Sequence, residues 1–395
     1  METGTEKSVA ARVEEHLLRW RALWSDTYGR SGQPRDPSLH LAGWISSYTG
    51  MPIREAEMKE WVERTVERLL DPLVDPPSGR VLEIGCGTGM LLLRVARRCA
   101  EAVATDFSPE ALAFVRGRLD AEGLSNVTLL QRTADDFKGL DKTAFDLVVL
   151  NSVVQYFPGL DYLLHVLAGA VTAAAPGGRI FLGDLRSLPL LEAFHASVQL
   201  QQADASMSLD ELRERIQAAV RQERELAIDP ALFAALPSML PDVDRVEVQL
   251  KRGRARNELT RFRYDAVLHL KGGPTAGPEP ESWLEWGDPG ATPEALRRRL
   301  AAETPPLLGV RGVPNARLAA EVEGLRLLRE DGALRTAGDL QEAVRRARPA
   351  GVEPEELWSL ERELPYRVRI GWAEDGAEGT YDVLLRHLDQ NGPRR

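Results

Sequence analysis

A chain of 395 residues, 43% apolar and 28% charged, can bury a full hydrophobic core as one elaborated domain or two. Its formal charge of -10 gives no electrostatic reason to expect nucleic acid as a partner, and Cys86 and Cys99 alone cannot build a disulfide framework. The N-terminus lacks a basic-then-apolar secretory pattern and no apolar run approaches the roughly 20 residues of a membrane span, so a cytoplasmic protein with no membrane partner is expected.

Residues 8–28 carry Val9, Val13, Leu17, Leu18, Trp20, Leu23 and Trp24 at amphipathic helical spacing, ending near Tyr28. Gly29 to Pro37 is polar and rich in turn residues, a loop. An aromatic, Gly- and Ser-rich stretch from Leu41 to Ile53 precedes a helix from about Arg54 to Leu70. Its Trp44 and Tyr48 either cover a ligand or staple the two helices to the core.

Next comes Val81-Leu-Glu-Ile-Gly-Cys-Gly-Thr-Gly89. Arg80 to Ile84 reads as a buried strand and Met90 to Cys99 as an apolar helix, with Gly85, Gly87 and Gly89 in the turn between them. Glycines there allow a backbone path and a close ligand approach that side chains would block. The spacing G-x-G-x-G, with Glu83 two residues ahead, differs from the dinucleotide pattern G-x-G-x-x-G.

From 79 to 184 strands and helices alternate, the signature of a parallel sheet covered on both faces. Ala102 to Asp106 is a strand ending in an acid about 20 residues past the glycine turn, the expected acceptor for ribose hydroxyls. Ser108-Pro109-Glu110 reads as a helix start, with Ser at the cap and Pro in the first turn. Asn126 to Arg132 is the third strand and leads into Thr133-Ala-Asp-Asp-Phe137, where Asp135, beside Ala134, is favoured over Asp136 to meet an exocyclic amine. Phe145 to Leu150 is the fourth strand. Asn151, Ser152, Gln155 and Tyr156 follow at its carboxyl end, where ligands sit in open α/β sheets.

A helix over 159–174 and a Pro176-Gly-Gly turn lead to the fifth strand, Arg179 to Gly183. Asp184 and Arg186 after it are a structural salt bridge or an acceptor-orienting pair. His195, on the helix from Leu190 to Gln202, is a packing residue or a general base. Residues 203–232 have helical spacing and read as an insertion that could form a lid. Strands at 243–250 and 262–270 flank Lys251-Arg-Gly-Arg-Ala-Arg256, either a solvated hairpin connection or a docking patch for an acidic partner. Gly272 to Pro280 is a linker. Beyond it lie Trp283 to Trp286, a helix at 293–302, a strand at Leu307 to Val310, helices near 317–328, 338–346 and 354–362, and strands at 366–372 and 380–385. There is no repeat, no metal-spaced Cys/His cluster and no Ser-His-Asp signature, so no metal is expected.

The strand, glycine turn and helix around Glu83 to Gly89 resemble motif I of S-adenosylmethionine (SAM) methyltransferases. Trp44 to Gly50, Val81 to Gly89, Thr105 to Ser108, Asn151 to Pro158 and Gly183 to Leu190, in that order, look like the methyltransferase domains of nonribosomal peptide synthetases, both N-methylating and related C- and O-methylating ones. Val313 to Arg317, Pro365-Tyr366 and Tyr381 to Val383 are similar to the end of those domains. The resemblance implies a Rossmann-like class I core over 79–271, with an N-terminal helical cap over 1–78 and a lid insertion at about 186–242. A linker over 272–282 and a smaller α/β segment over 283–395 would follow.

It further implies SAM as donor. Glu83, Gly85, Cys86, Gly87 and Gly89 would surround its methionine part, with Asp106 and Phe107 at the ribose and Ala134 and Asp135 near adenine. Asn151 and Ser152 would lie beside it, and Tyr28, Trp44 and Tyr48 would close the site. Gln155, Tyr156, Asp184, Arg186 and His195 would face the acceptor. Methyl transfer from a sulfonium is an in-line displacement that needs alignment more than covalent help. No adenylation-domain motif or Gly-Gly-x-Ser carrier site flanks these blocks, so a free-standing enzyme is expected, acting on a small-molecule or carrier-bound acceptor, with a carrier protein or synthetase as partner. Nitrogen is the expected acceptor atom; carbon or oxygen methylation and a non-catalytic SAM-binding scaffold are the alternatives.

Overall fold

The computed structural model describes residues 9–30, 32, 36–70, 79–274, 280, 282–330, 332, 334–348, 350–373 and 379–388. Its larger sheet is built from β1 (Arg80–Ile84), β2 (Glu101–Asp106), β3 (Val127–Gln131), β4 (Phe145–Asn151), β5 (Ala174–Ser187), β6 (Ala227–Ile228), β7 (Val243–Leu250) and β8 (Arg263–Leu270). The order is β3-β2-β1-β4-β5-β8-β7, with β6 attached to β5. β8 runs antiparallel to both its neighbours, while β1 to β5 pair in parallel.

The strands read as continuous apolar runs because both faces are covered. Leu82, Ile84, Val148, Leu150, Ile180 and Leu182 face the helix Leu160–Ala173 and its Leu163, Val166 and Leu167. Val81, Leu147, Val149 and Phe181, one residue out of step, face the helix Glu55–Leu69 through Met58, Trp61 and Val62. The order reverses between β1 and β4, which opens a crevice at their carboxyl ends, the place for a ligand in such sheets.

The Ser108 hydroxyl accepts from the Ala111 amide to cap the helix Pro109–Glu122, which ends at Gly123 in a left-handed turn. The helix expected over Met90 to Cys99 is shorter: Leu92–Val95 is α-helical and Ala96–Arg98 tightens to a 3-10 turn. The chain must return to pair as β2 by Glu101, and the Asn126 amide caps the Ala96 and Cys99 carbonyls that this early ending frees.

The insertion after β5 holds the helices Leu191–Gln202, Leu209–Arg221 and Ala231–Met239. It is packed rather than loose. Ala196, Leu209, Leu212 and Ile216 form one apolar cluster with Leu328, Ala337 and Leu340 of the helices Ala319–Arg329 and Ala337–Ala347. A second sheet, ordered β11-β12-β10-β9, comprises β9 (Trp283–Glu285), β10 (Leu307–Pro314), β11 (Tyr366–Trp372) and β12 (Thr380–His387). The strand expected to stop at Val310 runs on to Pro314 through a bulge. Most of the tip of the expected linker, 275–279 and 281, lies outside the described residues.

The basic cluster at 251–256 is solvated only in part: Arg254 and Arg256 are exposed, while Lys251 and Gly253 are buried. Lys251 is 2% exposed, and its ammonium donates to Asp265 at 3.0 Å. The Arg252 guanidinium donates to Glu355 at 3.0 Å, and Glu60 accepts the Arg254 and Ala255 amides at 2.9 and 2.8 Å. The carboxylates that meet this cluster belong to the chain itself, because buried cations are tolerated only when paired. No helix among the described residues is long and apolar enough to cross a membrane.

Candidate active site

Gly85, Gly87 and Gly89 take φ of +75°, +52° and +77°, a backbone that L side chains rarely adopt. The Gly85 and Cys86 amides both donate to the Thr105 carbonyl, at 2.8 and 2.9 Å, which ties the turn to β2. A Cβ on Gly85 would stand 2.4 Å from Val153 Cγ2, and one on Gly87 3.2 Å from the Tyr28 hydroxyl oxygen. The turn therefore has room for a ligand's atoms only while it has no side chains of its own.

Above it opens a cavity of about 660 Å³ at the carboxyl ends of β1, β2, β4 and β5. Asp106 sits at the end of β2 and is buried; its carboxylate accepts the Gly87 and Ser108 amides, each at 2.8 Å. Burial still pushes this carboxyl above its ordinary value. Burial, followed by the nearby Asp106 charge, lifts the Glu83 carboxyl to about 8. Burial likewise raises the Tyr28 phenol.

Fifteen of the residues singled out above line this one cavity: Tyr28, Trp44, Glu83, Gly85, Cys86, Gly87, Asp106, Phe107, Ala134, Asp135, Asn151, Ser152, Gln155, Tyr156 and Arg186. Asp135 accepts the Tyr162 hydroxyl at 2.8 Å. Gly89, Tyr48, Asp184 and His195 are not part of this lining. Gly89 packs against Val115 and Leu93, where it lets the following helix approach. The Tyr48 hydroxyl bonds Ser197 at 2.7 Å, with its ring edge-on to Phe194, so it staples the aromatic loop to the helix Leu191–Gln202. His195 meets Glu223 through Nε2 at 3.1 Å and lies edge-on to Phe194, which lines the cavity in its place.

Asp184 lies just behind the wall, fully buried, and acts on it through others. Its carboxylate accepts the Ser152 hydroxyl at 2.9 Å, the Trp61 indole N–H at 3.3 Å and the Arg263 guanidinium at 2.5 Å. Burial pushes its carboxyl up, but Arg263, Lys251 and the Ser152 hydroxyl outweigh burial and hold it below the ordinary value. Burial would lower Arg263; Asp184 and Glu225 outweigh that and hold it well above. Arg186 joins Glu225 and Glu223 at 2.8 and 2.9 Å. Glu223 is lowered to about 2: the His195 hydrogen bond and the Arg186 charge overcome burial, the largest single influence on it.

Several lining residues carry no site role in the sequence reading, Trp20 and Trp24 among them, which it places only on an amphipathic helix. Trp20 and Trp24 stand with Tyr28 on one face of the helix Val9–Arg30. Trp20 lies 4.5 Å and Trp24 5.5 Å from the Tyr156 ring, and Trp24 stacks on Tyr28 at 5.3 Å. Their i, i+4, i+8 spacing was the available signal. Trp61, Phe194, Glu225, Glu258 and Arg263 also line the cavity, and no local pattern marks them.

Two buried oxygens at the end of β4, Asn151 Oδ1 and Gln155 Oε1, have no hydrogen-bond partner among the described residues. Gly183 is what leaves room for the first, since a Cβ there would fall 2.0 Å from Asn151 Oδ1. Orphaned acceptors of this kind suit a ligand that brings N–H or O–H donors.

Comparison with known proteins agrees with this geometry. Residues 82–180 match the family described as a methyltransferase domain. Chondramide synthase cmdD of Chondromyces crocatus is 46% identical over 378 residues, which is 94% of this chain and 9% of that protein. The probable non-canonical nonribosomal peptide synthetase CymA of Salinispora arenicola is 36% identical over 97% of this chain and 4% of its own length. Nonribosomal peptide synthetase asqK of Emericella nidulans is 32% identical over 96% of this chain and 15% of its own length. The chain spans less than a sixth of each of these relatives. Residues 82–180 are thus a methyltransferase domain, and the chain is similar, over almost its whole length, to one stretch of each of these synthetases.

Proposed function

We propose that the chain methylates an amino-acid-derived nitrogen in nonribosomal peptide or related secondary-metabolite biosynthesis, on an acceptor that is a small molecule or is held by a carrier protein. The supporting observation is the acceptor half of the cavity. It offers Gln155 Oε1, which has no hydrogen-bond partner among the described residues, and the Glu258 carboxylate in the same lining. An amine satisfies such groups with its N–H donors. Carbon methylation would need a base strong enough to make a carbanion, whereas the acceptor wall offers carboxylates, which are weak bases, and His195 is outside the lining.

The residues present fit SAM. The Gly85–Gly87 backbone leaves the space that a Cβ would fill, Asp106 can accept ribose hydroxyls, Asp135 can meet the adenine amine, and Glu83 can take the ammonium of the methionine part. When bound, SAM supplies a methyl group made electrophilic by its sulfonium. The protein's own part is to align the acceptor and keep water out. Trp20, Trp24, Tyr28 and Tyr156 form an aromatic wall for this purpose, and Ser152 and Arg263 are fixed by Asp184. Alignment of this kind is worth several kcal/mol of barrier.

The test is incubation with methyl-labelled SAM and the proteinogenic amino acids as N-acetylcysteamine thioesters, beside the free amino acids. Mass spectrometry with fragmentation should locate the new methyl on nitrogen. Methyl on carbon or oxygen, or no transfer to any amine, would overturn the reading.

A further inference from the structure

We infer that Glu258 is a catalytic residue, the carboxylate that binds the acceptor amine and takes its proton. This rests on the amine reading above. The donor half of the cavity lies over β1, β2 and β3, so the far wall belongs to the acceptor. That wall is made by the end of β5, the helices Leu191–Gln202 and Glu258–Phe262, and the aromatic loop. Glu258 opens its short helix directly after the capping residue Asn257, is 6% exposed, and lines the cavity.

The other acids on this wall are already neutralised. Glu225 is paired with Arg186 and Arg263, and Asp184 with Arg263 and Lys251. Glu258 differs. Its oxygens accept the Ser47 amide at 2.8 Å and the Ser46 hydroxyl at 3.0 Å, and among the described residues no cation forms an ion pair with it. A carboxylate has about four lone-pair sites, so these two neutral bonds leave capacity on both oxygens. A buried carboxylate without a counter-cation, among Trp44, Trp61 and Phe262, is a costly arrangement that an incoming ammonium relieves.

The acceptor enters as an ammonium, and one N–H proton passes to a Glu258 oxygen, which leaves a lone pair on nitrogen. That pair forms the N–CH3 bond while the S–CH3 bond breaks and its electrons return to sulfur. The product leaves as the methylated ammonium beside a neutral thioether, and Glu258 returns its proton to water.

Glu258→Gln separates this role from a mere latch, because Gln keeps both loop bonds: its oxygen accepts from Ser47 and its amide donates to Ser46. Turnover of the best thioester acceptor should fall by roughly 100-fold or more in kcat/KM, the usual scale of proton-transfer catalysis. The corresponding amino acid amide, titrated calorimetrically without SAM, should bind at least about tenfold more weakly, equivalent to about 1.4 kcal/mol. S-adenosylhomocysteine affinity should be unchanged. Ser46→Ala, which weakens the latch alone, should keep most of the turnover. A second measurement needs no variant: the wild-type protein should bind the amino acid amide more tightly than the matching 2-hydroxy acid amide. A Gln variant with wild-type turnover, or equal binding of amine and hydroxyl probes, would overturn the assignment while N-methylation by the wild type stands. Absence of any N-methylated product from the wild type would remove the amine reading itself.

Discussion

The Ser152 hydroxyl donates to the Asp184 carboxylate at 2.9 Å, and both residues hold left-handed backbone, with φ of +56° and +64°. The bond joins the residue just after β4 to the irregularity within β5 between Leu182 and Leu185, and Arg263 and Lys251 close on the same carboxylate. Asp184→Asn keeps the shape but removes one countercharge from two buried cations, Arg263 and Lys251, which keep Glu225 and Asp265, so a loss of about 1–3 kcal/mol is expected. Urea unfolding should show it as a lower midpoint at similar slope. Because the native carboxyl is held below its ordinary value, its contribution is present above the unfolded value and fades as pH falls through the native one. The wild type should therefore lose its advantage over the variant in acid, below about pH 4. Equal midpoints at pH 7 would refute the role.

Gly85→Ala tests the turn. The new methyl meets Val153 Cγ2 at 2.4 Å and the backbone carries φ +75°, so strain and clash act together. Destabilisation of about 1–3 kcal/mol is expected. Calorimetric affinity for S-adenosylhomocysteine should drop by more than about tenfold, since the turn can no longer keep its open shape. Unchanged affinity would mean that the ligand does not approach this turn.

The donor half of the site was legible because its chemistry is local: three glycines, an acid two residues ahead and an acid ending the next strand all sit within one strand–turn–helix–strand unit. The acceptor half was not. Glu225, Glu258 and Arg263 come from an insertion, a short capped helix and an antiparallel strand, and only the tertiary fold brings them to Ser152 and Arg186. Likewise Lys251 to Arg256 looks like a solvated turn in sequence, because Glu60, Arg317 and Glu355, which bury part of it, lie far away along the chain. Tyr48 and His195 had the right residue type in the right neighbourhood, but each faces the other side of its element. Loop geometry and the pairing of His195 with Glu223 decide that, and periodicity does not carry it.

Glu83 should make stability depend on pH in the sense opposite to Asp184. Its native carboxyl is raised to about 8, so between its ordinary value and pH 8 the folded protein holds more protons than the unfolded chain. Stability without SAM should decline as pH rises through that window, and Glu83→Gln should abolish the decline. SAM binding should also release protons near pH 7, as the ligand's ammonium favours the ionised carboxylate. Titrations in buffers of different ionisation enthalpy would detect the release, and a buffer-independent heat would contradict it.

His195→Gln addresses the acceptor atom. Since His195 contacts Glu223 and Phe194 and lies outside the cavity lining, N-methyl transfer should stay within a few-fold of wild type. A loss of about 100-fold or more, with folding and S-adenosylhomocysteine binding intact, would mark His195 as a general base and favour a carbon acceptor.

Arg317 tests how far the acceptor wall depends on the C-terminal segment. Its guanidinium, 2% exposed, donates to the Lys251 and Gly253 carbonyls at 2.7 and 2.5 Å and to Glu353 at 2.5 Å. The loop so held presents the Lys251 ammonium to Asp265 and Asp184, and a few residues later Asn257 caps the helix that carries Glu258. Lysine cannot reproduce three divergent bonds from one planar group. Arg317→Lys should therefore cost about 2–4 kcal/mol in unfolding free energy, since buried carbonyls lose their charged donors. The informative split comes in the folded fraction. Turnover with the amine acceptor should fall severalfold or more while S-adenosylhomocysteine affinity is retained, because the glycine turn and Asp106 do not lean on this loop. If both fall together, the C-terminal segment supports the whole fold and not the acceptor wall in particular. If stability falls but folded-state turnover is intact, Arg317 is a packing residue and the wall is held by Asp184 alone.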